Sequence, residues 1–181
     1  MTERFRNKYR AATTRLYGYD YTRNGAYFVT ICTRKKIPSL GIIVDNKMIL
    51  SDIGEMVKEF WLEVPIHSPN VSLDEFIIMP DHIHGIIIIK PIIESRSDFS
   101  TIGKSGLVGS TIKNSGNKCW KSKSIGSILN QFKRICTLKT KLSGLDLSWQ
   151  PRYYDHVIRS DNELDRIREY IKDNPKKWTT D

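Results

Sequence analysis

Two apolar segments joined by a very short connection constrain the fold of this chain more than any other feature. Residues 71–79 and 82–90 are rich in β-branched and aromatic side chains, and only Pro80 and Asp81 separate them. Segments of this composition are typical of strands. Because so short a connection cannot return the chain for parallel pairing, the two strands are expected to form an antiparallel pair.

The other segments with clear periodicity surround this pair in a regular order. Strands are predicted at 26–33 and 153–159, a hairpin at 41–50 around Asp45 and Asn46, and helices at 51–64, 125–142 and from the capping box that begins at Ser160. Pro65 is expected to end the first helix. The order strand, helix, strand, strand, helix, strand, helix predicts a single α+β domain over 1–181. Its expected fold is a ferredoxin-like (split βαβ) antiparallel sheet with helices on one face and an additional C-terminal helix.

The charge balance indicates a polyanionic partner. The 29 Lys and Arg residues outnumber the 20 Asp and Glu residues, which gives a net charge of +9. Nucleic acid is therefore a more probable large partner than acidic protein. Three widely spaced cysteines without a CxxC pair argue against a disulfide framework, and no apolar segment approaches the length of a membrane span. A soluble, cytoplasmic protein without a membrane partner is expected.

Two basic regions are candidates for contact with DNA. Residues 1–23 form a basic arm with interleaved tyrosines, a composition suited to phosphates and unpaired bases, although solvated charge explains it equally well. The helix at 125–142 has a basic polar side. The DNA-binding candidates in these regions are Arg4, Arg6, Arg10, Arg15, Lys133 and Arg134. Residues 91–123 are rich in Ser, Gly and Lys and are expected to form a flexible insertion.

The strand that begins at His82 carries a possible metal site. Since side chains alternate along a strand, His82 and His84 lie on the same face. Two imidazoles on a rigid strand are able to hold one divalent cation, but for the triplet alone two ordinary polar residues near a strand end are the simpler explanation. Asp81 is either a supporting partner of His82 or a turn residue. For His156, a structural hydrogen bond is expected rather than metal ligation.

The final helix offers residues that would complete such a site. Tyr170 and Asn174 are one helical turn apart, at the edge of the apolar stripe. A tyrosine beside a metal is a possible nucleophile, and an amide oxygen is a suitable hard ligand. The alternatives are a half-buried helix residue at Tyr170 and a helix stop at the pair formed by Asn174 and Pro175.

Several motifs together resemble those of a known family. These are MPDHIHGIIII around the two histidines, WQPRYYDHVIRS at 149–160, IREYIKDNPKKW at 167–178 and the segment YGYDYTRNGAYFVTICTRKK at 17–36. In this order they are similar to the HUH single-tyrosine transposases, and most similar to the REP-associated tyrosine transposases. The similarity spans nearly the whole chain outside the insertion.

The resemblance implies a specific activity and site. It implies a metal-dependent single-stranded DNA endonuclease and strand transferase that cuts hairpin-associated DNA through a 5′-phosphotyrosine and rejoins strands. Tyr170 would be the nucleophile, and His82, His84 and Asn174 would bind the cation, Mg²⁺ or Mn²⁺. The implied partner is single-stranded DNA with hairpins, and the implied assembly is a monomer or a homodimer. A bacterial, nucleoid-associated location is expected.

Two other functions stay open on the sequence. One is a catalytically silent, transposase-derived DNA-binding regulator, which would use the same surface without a covalent step. The other is an RRM-like RNA-binding module, because a ferredoxin-like sheet and basic charge suit it as well. The strand at 26–33 lacks the aromatic pattern of such a module, with Tyr27 and Phe28 a poor substitute.

Overall fold

A four-stranded antiparallel sheet lies at the centre of the protein. The computed structural model describes residues 19–91 and 124–178, together with the backbone of a short strand pair at 4–5 and 8–9. The strands are β1 (Arg4–Phe5), β2 (Lys8–Tyr9), β3 (Gly25–Cys32), β4 (Gly41–Val44), β5 (Lys47–Leu50), β6 (Val71–Ile78), β7 (His82–Ile89) and β8 (Tyr154–Ile158). The helices are α1 (Asp52–Leu62), α2 (Val64–His67), α3 (Ile125–Leu142) and α4 (Asp161–Lys172).

The central sheet confirms the predicted fold class. Its strand order is β6-β7-β3-β8, and each neighbouring pair is antiparallel. The short connection at Pro80 and Asp81 does join an antiparallel pair, β6 and β7. With α1 and α3 as the crossover elements, this is the split βαβ arrangement of a ferredoxin-like fold.

The hairpin of β4 and β5 turns at the predicted residues. Asp45 and Asn46 have φ angles of 50° and 60°. Two consecutive residues in the left-handed region form the type of turn whose twist matches that of the flanking strands, and Asp and Asn tolerate this conformation better than most residues.

Helix α1 begins as predicted but ends earlier than predicted. The Ser51 hydroxyl accepts a hydrogen bond from the Gly54 amide at 3.1 Å and so caps the helix. The helix ends at Leu62, and Pro65 lies in the first turn of the separate helix α2 rather than terminating α1. Proline is well accommodated there because its missing N–H group would have no partner inside the helix.

The two faces of the sheet have separate apolar cores. On one face α1 and α3 bury the larger cluster, in which Trp61 and Leu129 are fully buried. On the other face α4 covers a smaller cluster, formed by Phe28, Ile86, Ile158 and Ile171. The predicted additional C-terminal helix therefore packs on the face opposite α1 and α3.

Ion pairs fasten α4 to the edge strand β6. The register of β6 against β7 shifts between Leu73 and Phe76, and the two acidic residues inside this irregularity both pair with α4. Arg168 donates to both carboxylate oxygens of Asp74, at 2.8 and 2.6 Å, and Lys172 lies 3.3 Å from Glu75. A bidentate pair of this kind fixes orientation as well as distance.

Replacing Asp74 with Asn should destabilise the protein in a pH-dependent way. The Arg168 guanidinium, which is hydrogen-bonded to Asp74, holds the pKa of that carboxyl below its usual value. A lowered folded-state pKa contributes stability above the usual carboxyl pKa, and this stability is lost as the pH falls through the folded-state value. The melting temperature of Asp74→Asn should therefore be below that of the wild type at pH 7, and the difference should shrink steadily below about pH 4. A difference that does not change with pH would contradict this account.

Some predictions fall outside the described residues. Apart from the strand pair at 4–5 and 8–9, the arm is described only from residue 19, and residues 92–123 of the predicted insertion are not described. In the described part of the chain, no helix is long and apolar enough to cross a bilayer. Cys32 and Cys136 are free thiols, in agreement with the cysteine spacing.

Candidate active site

The two histidines of β7 point their ring nitrogens at each other on the face of the sheet that carries α4. The Nε2 atoms of His82 and His84 are 3.0 Å apart. In the antiparallel register, His84 is opposite Thr30 and Ile86 is opposite Phe28, so these four residues share the face. Alternation along one strand thus brings two imidazoles together, as the sequence predicted.

Each imidazole is fixed from behind through its other nitrogen. Nδ1 of His82 lies 2.5 Å from Oδ1 of Asp81, and Nδ1 of His84 lies 2.8 Å from the Thr30 hydroxyl. Asp81 is itself buried, and its carbonyl accepts hydrogen bonds from the amide and hydroxyl of Thr33. Both partners set the ring orientations, and the Asp81 carboxylate, which accepts, favours the His82 tautomer whose Nε2 lone pair is free.

Burial keeps His84 in the form that binds metals. The residue is only 6 % exposed, and its ring stacks on Phe28 with 5.3 Å between centroids. Desolvation, with a smaller contribution from His82, lowers the pKa of His84 to about 3. His84 is therefore neutral at physiological pH, with a lone pair on one of its two ring nitrogens.

Helix α4 brings Tyr170 to this pair. The Tyr170 hydroxyl lies 3.3 Å from Nε2 of His84, and the ring meets Phe28 edge-on at 6.0 Å. Tyr170 as a whole is 43 % exposed. Helix α4 holds this position through its apolar stripe and through the ion pairs with β6.

Asn174 follows α4 in the chain, and none of the hydrogen bonds described joins it to the imidazoles. It begins the 3-10 turn Asn174–Lys177 after α4 and is buried, with 9 % of its surface exposed. The hydrogen bonds described for the two imidazoles go to Asp81, Thr30, Tyr170 and each other, and none goes to Asn174. Further along this segment, the Trp178 ring lies 6.0 Å from the His82 ring. A role of Asn174 as third ligand stays a prediction.

The geometry of the pair is compatible with a divalent cation. Nitrogens 3.0 Å apart match two neighbouring ligands at right angles around one octahedral cation at about 2.1 Å. Within the described residues, no group of three or more His, Cys, Asp and Glu side chains could hold a metal.

The predicted DNA-binding residues of α3 lie in different environments. The Lys133 amine donates to the backbone carbonyl of Gln150, and that of Arg152 is 3.4 Å away. Burial lowers the pKa of this amine. Arg134 instead lines an apolar groove between α3 and the α1 and α2 helices. Of the N-terminal candidates, Arg4 is described only in its backbone, and Arg6, Arg10 and Arg15 lie outside the described residues.

The structure adds partners that sequence reasoning missed. Thr30 and Phe28 support His84 from β3, and only the register of two strands distant in sequence places them there. The expected structural hydrogen bond of His156 is confirmed, because its Nε2 lies 2.8 Å from Oε1 of Glu163. Glu163 also accepts from the Arg159 amide at 2.8 Å, so this capping residue ties β8 to the start of α4.

Two known proteins are similar in sequence to this chain over most of its length. No family model matches it. An uncharacterized protein of Haemophilus influenzae is 36 % identical over 168 residues, which are 92 % of this chain and 89 % of that protein. The REP-associated tyrosine transposase of Escherichia coli is 23 % identical over 157 residues, which are 87 % of this chain and 70 % of that protein.

A solved structure shares the fold. It is a REP-associated tyrosine transposase bound to a REP hairpin, with a TM-score of 0.58 and 20 % sequence identity, and the match covers 91 % of this chain and 74 % of that one. The chain thus belongs to one family with the Haemophilus influenzae protein, and it shares the fold of a REP-associated tyrosine transposase.

Proposed function

We propose that the protein is a metal-dependent single-stranded DNA endonuclease and strand transferase that cuts hairpin-associated DNA through a 5′-phosphotyrosine at Tyr170. The observation that carries the proposal is the 3.3 Å approach of the Tyr170 hydroxyl to His84, whose Nε2 also faces that of His82 at 3.0 Å. Transfer of a DNA phosphate to the protein needs a nucleophile next to side chains that can bind a metal ion, and these three residues meet that requirement.

The covalent step exchanges one phosphate ester for another. The Tyr170 oxygen forms a bond to phosphorus, and the bond from phosphorus to the 3′ oxygen of the preceding nucleotide breaks. The departing 3′ oxygen takes up a proton and the phenol loses one to solvent, so the step has no net proton change. The reverse attack by a 3′-hydroxyl restores the DNA backbone and frees the tyrosine, which permits joining of strands without ATP.

His82, His84 and Asn174 are the residues proposed to hold Mg²⁺ or Mn²⁺. When bound, such a cation supplies charge stabilisation for the non-bridging phosphate oxygens. Asp81 and Thr30 would keep both imidazoles oriented for this task. Tyr170 is half exposed, and a substrate that approaches from solvent would meet it there.

Single-stranded DNA with hairpins is the proposed substrate. The net charge of +9 favours a polyanion, and the structural neighbour is bound to a REP hairpin. The assembly is proposed to be a monomer or a homodimer. The two other functions considered from the sequence, a silent DNA-binding regulator and an RNA-binding module, require no covalent step.

The decisive experiment looks for the covalent intermediate. The full chain is incubated with Mn²⁺ and labelled single-stranded hairpins from DNA flanking its own gene, and the products are separated on a denaturing gel. We expect a labelled protein band that EDTA prevents and that peptide mass spectrometry assigns to residue 170. Binding of these hairpins without any adduct would instead favour the silent regulator, and an adduct on another residue would refute the assignment of Tyr170.

Replacing Asp81 with Asn should weaken metal binding. The amide keeps the size of the side chain but loses the charge that orients and polarises the His82 ring. Loss of such a supporting carboxylate typically lowers metal affinity by about 10- to 100-fold. Mn²⁺ titration followed by electron paramagnetic resonance would measure this, with Asp45→Asn in the hairpin turn as a matched control. Equal affinities in the wild type and Asp81→Asn would contradict the role given to Asp81.

A further inference from the structure

A row of side chains crosses the sheet from the candidate active site to the edge strand β8. Thr30 of β3 is the register partner of His84 on one side and of Tyr154 on the other. Residues paired in this way project from the same face of a sheet. Tyr154 therefore stands on the face that carries the histidines, two strands from His84.

Tyr154 is half exposed and stands beside the buried residues Phe28 and His84. Its side chain is 43 % exposed, whereas Phe28 is 9 % and His84 is 6 % exposed. The Tyr154 ring meets Phe28 edge-on at 6.2 Å, and Tyr170 meets the same ring edge-on at 6.0 Å. Phe28 thus lies between two half-exposed tyrosines, of which one is the proposed nucleophile.

The course of α4 leaves the Tyr154 end of β8 uncovered by that helix. The helix begins beside the opposite end of β8, where Ile158 packs against its apolar stripe and Glu163 bonds to His156. It is then fastened to β6, the far edge of the sheet, by Arg168 and Lys172. Tyr154 contacts Phe28 and is nevertheless 43 % exposed.

We propose that Tyr154 is a stacking platform for one unpaired base of the DNA strand next to the phosphate that Tyr170 attacks. An exposed aromatic ring on a sheet face binds single-stranded nucleic acid by stacking, which accepts any base. Tyr154 and Tyr170 both contact the Phe28 ring. If the phosphate of a DNA strand reaches Tyr170, the base of a neighbouring nucleotide is therefore within reach of the Tyr154 ring. This inference rests on the proposed function, because it takes single-stranded DNA as the substrate.

The test separates base stacking from catalysis. Binding is measured without a metal and in a Tyr170→Phe background, so that no cleavage occurs. The probes are a blunt hairpin, the same hairpin with a single-stranded extension, and a set in which each extension base in turn is abasic. Tyr154→Ala removes the ring and Tyr154→Phe keeps it, and melting curves verify that both variants are folded.

We expect Tyr154→Ala to bind the extended hairpin about 5- to 150-fold more weakly, the range of one stacked base. Tyr154→Phe should bind it like the parent, and all three proteins should bind the blunt hairpin equally. At one position of the extension, removal of the base should weaken binding of the DNA by the parent, the Tyr170→Phe protein. The same abasic probe should bind the Tyr154→Ala variant no more weakly than the intact probe does.

Two other results have distinct meanings. The parent is expected to bind the extended hairpin more tightly than the blunt one. If Tyr154→Ala shows the same preference to the same degree, the stacking role is wrong while the proposed function stands. If the parent binds neither the blunt hairpin nor any hairpin with a single-stranded extension, the proposed function itself fails, and this inference fails with it.

Discussion

Replacing Tyr170 with phenylalanine is expected to abolish the covalent protein–DNA band. The substitution removes only the hydroxyl that lies 3.3 Å from His84 and leaves the ring that packs on Phe28. Without that oxygen there is no atom to bond to phosphorus, so the loss should be complete rather than partial. The measurement is the denaturing gel with Mn²⁺ and labelled hairpins, run at equal protein concentrations.

Two controls make this result specific. Tyr19→Phe also removes one phenol oxygen, but Tyr19 packs with the core under α1 and α3, on the other side of the sheet, and this variant should form the adduct normally. Tyr170→Phe should still bind hairpins in a native gel, because its substitution leaves the surface charge unchanged. An undiminished adduct in Tyr170→Phe would mean that another residue is the nucleophile.

The fold was predictable from the sequence because its determinants are local. The two-residue connection at Pro80 and Asp81 requires an antiparallel pair, and the Asp45 and Asn46 turn marks a hairpin. Ser51 and Ser160 mark where helices begin, and both do accept the expected capping hydrogen bond. Period-two and helical patterns then supplied the order of elements. The shared face of His82 and His84 was also predictable, because side chains alternate along a single strand.

The remainder of the site depends on contacts between residues distant in sequence. Thr30 supports His84 only because β3 and β7 pair in one particular register. Periodicity assigned Lys133 to a solvated helix face, yet the segment at Gln150 and Arg152 folds against that face and accepts hydrogen bonds from the amine. Sequence patterns show which residues share an element, but not which other elements cover them.

Truncating Trp61 to alanine should cause the largest loss of stability among single changes in the core. The ring is fully buried, packs against Phe132 edge-on at 5.2 Å and covers β7 at Gly85. Removing a buried tryptophan ring loses its transfer free energy and leaves a cavity, which together cost about 3–5 kcal/mol. Urea unfolding followed by circular dichroism would measure the difference, and a loss below about 1 kcal/mol would show that the ring is not central to the core.

Gly85 explains why this ring fits and supplies a coupled test of the packing. A Cβ atom at Gly85 would lie 2.4 Å from Cζ2 of Trp61, which is closer than such atoms can approach. Gly85→Ala alone should therefore destabilise the protein by about 1–3 kcal/mol through overpacking. In the Trp61→Ala background the same methyl group enters the vacated space, so its cost should vanish or reverse. The two changes should consequently be far from additive, as expected for residues in direct contact. Strict additivity would show that Trp61 and Gly85 do not touch. Since Gly85 directly follows His84 on β7, the same close contact holds the strand that carries the two histidines against the core.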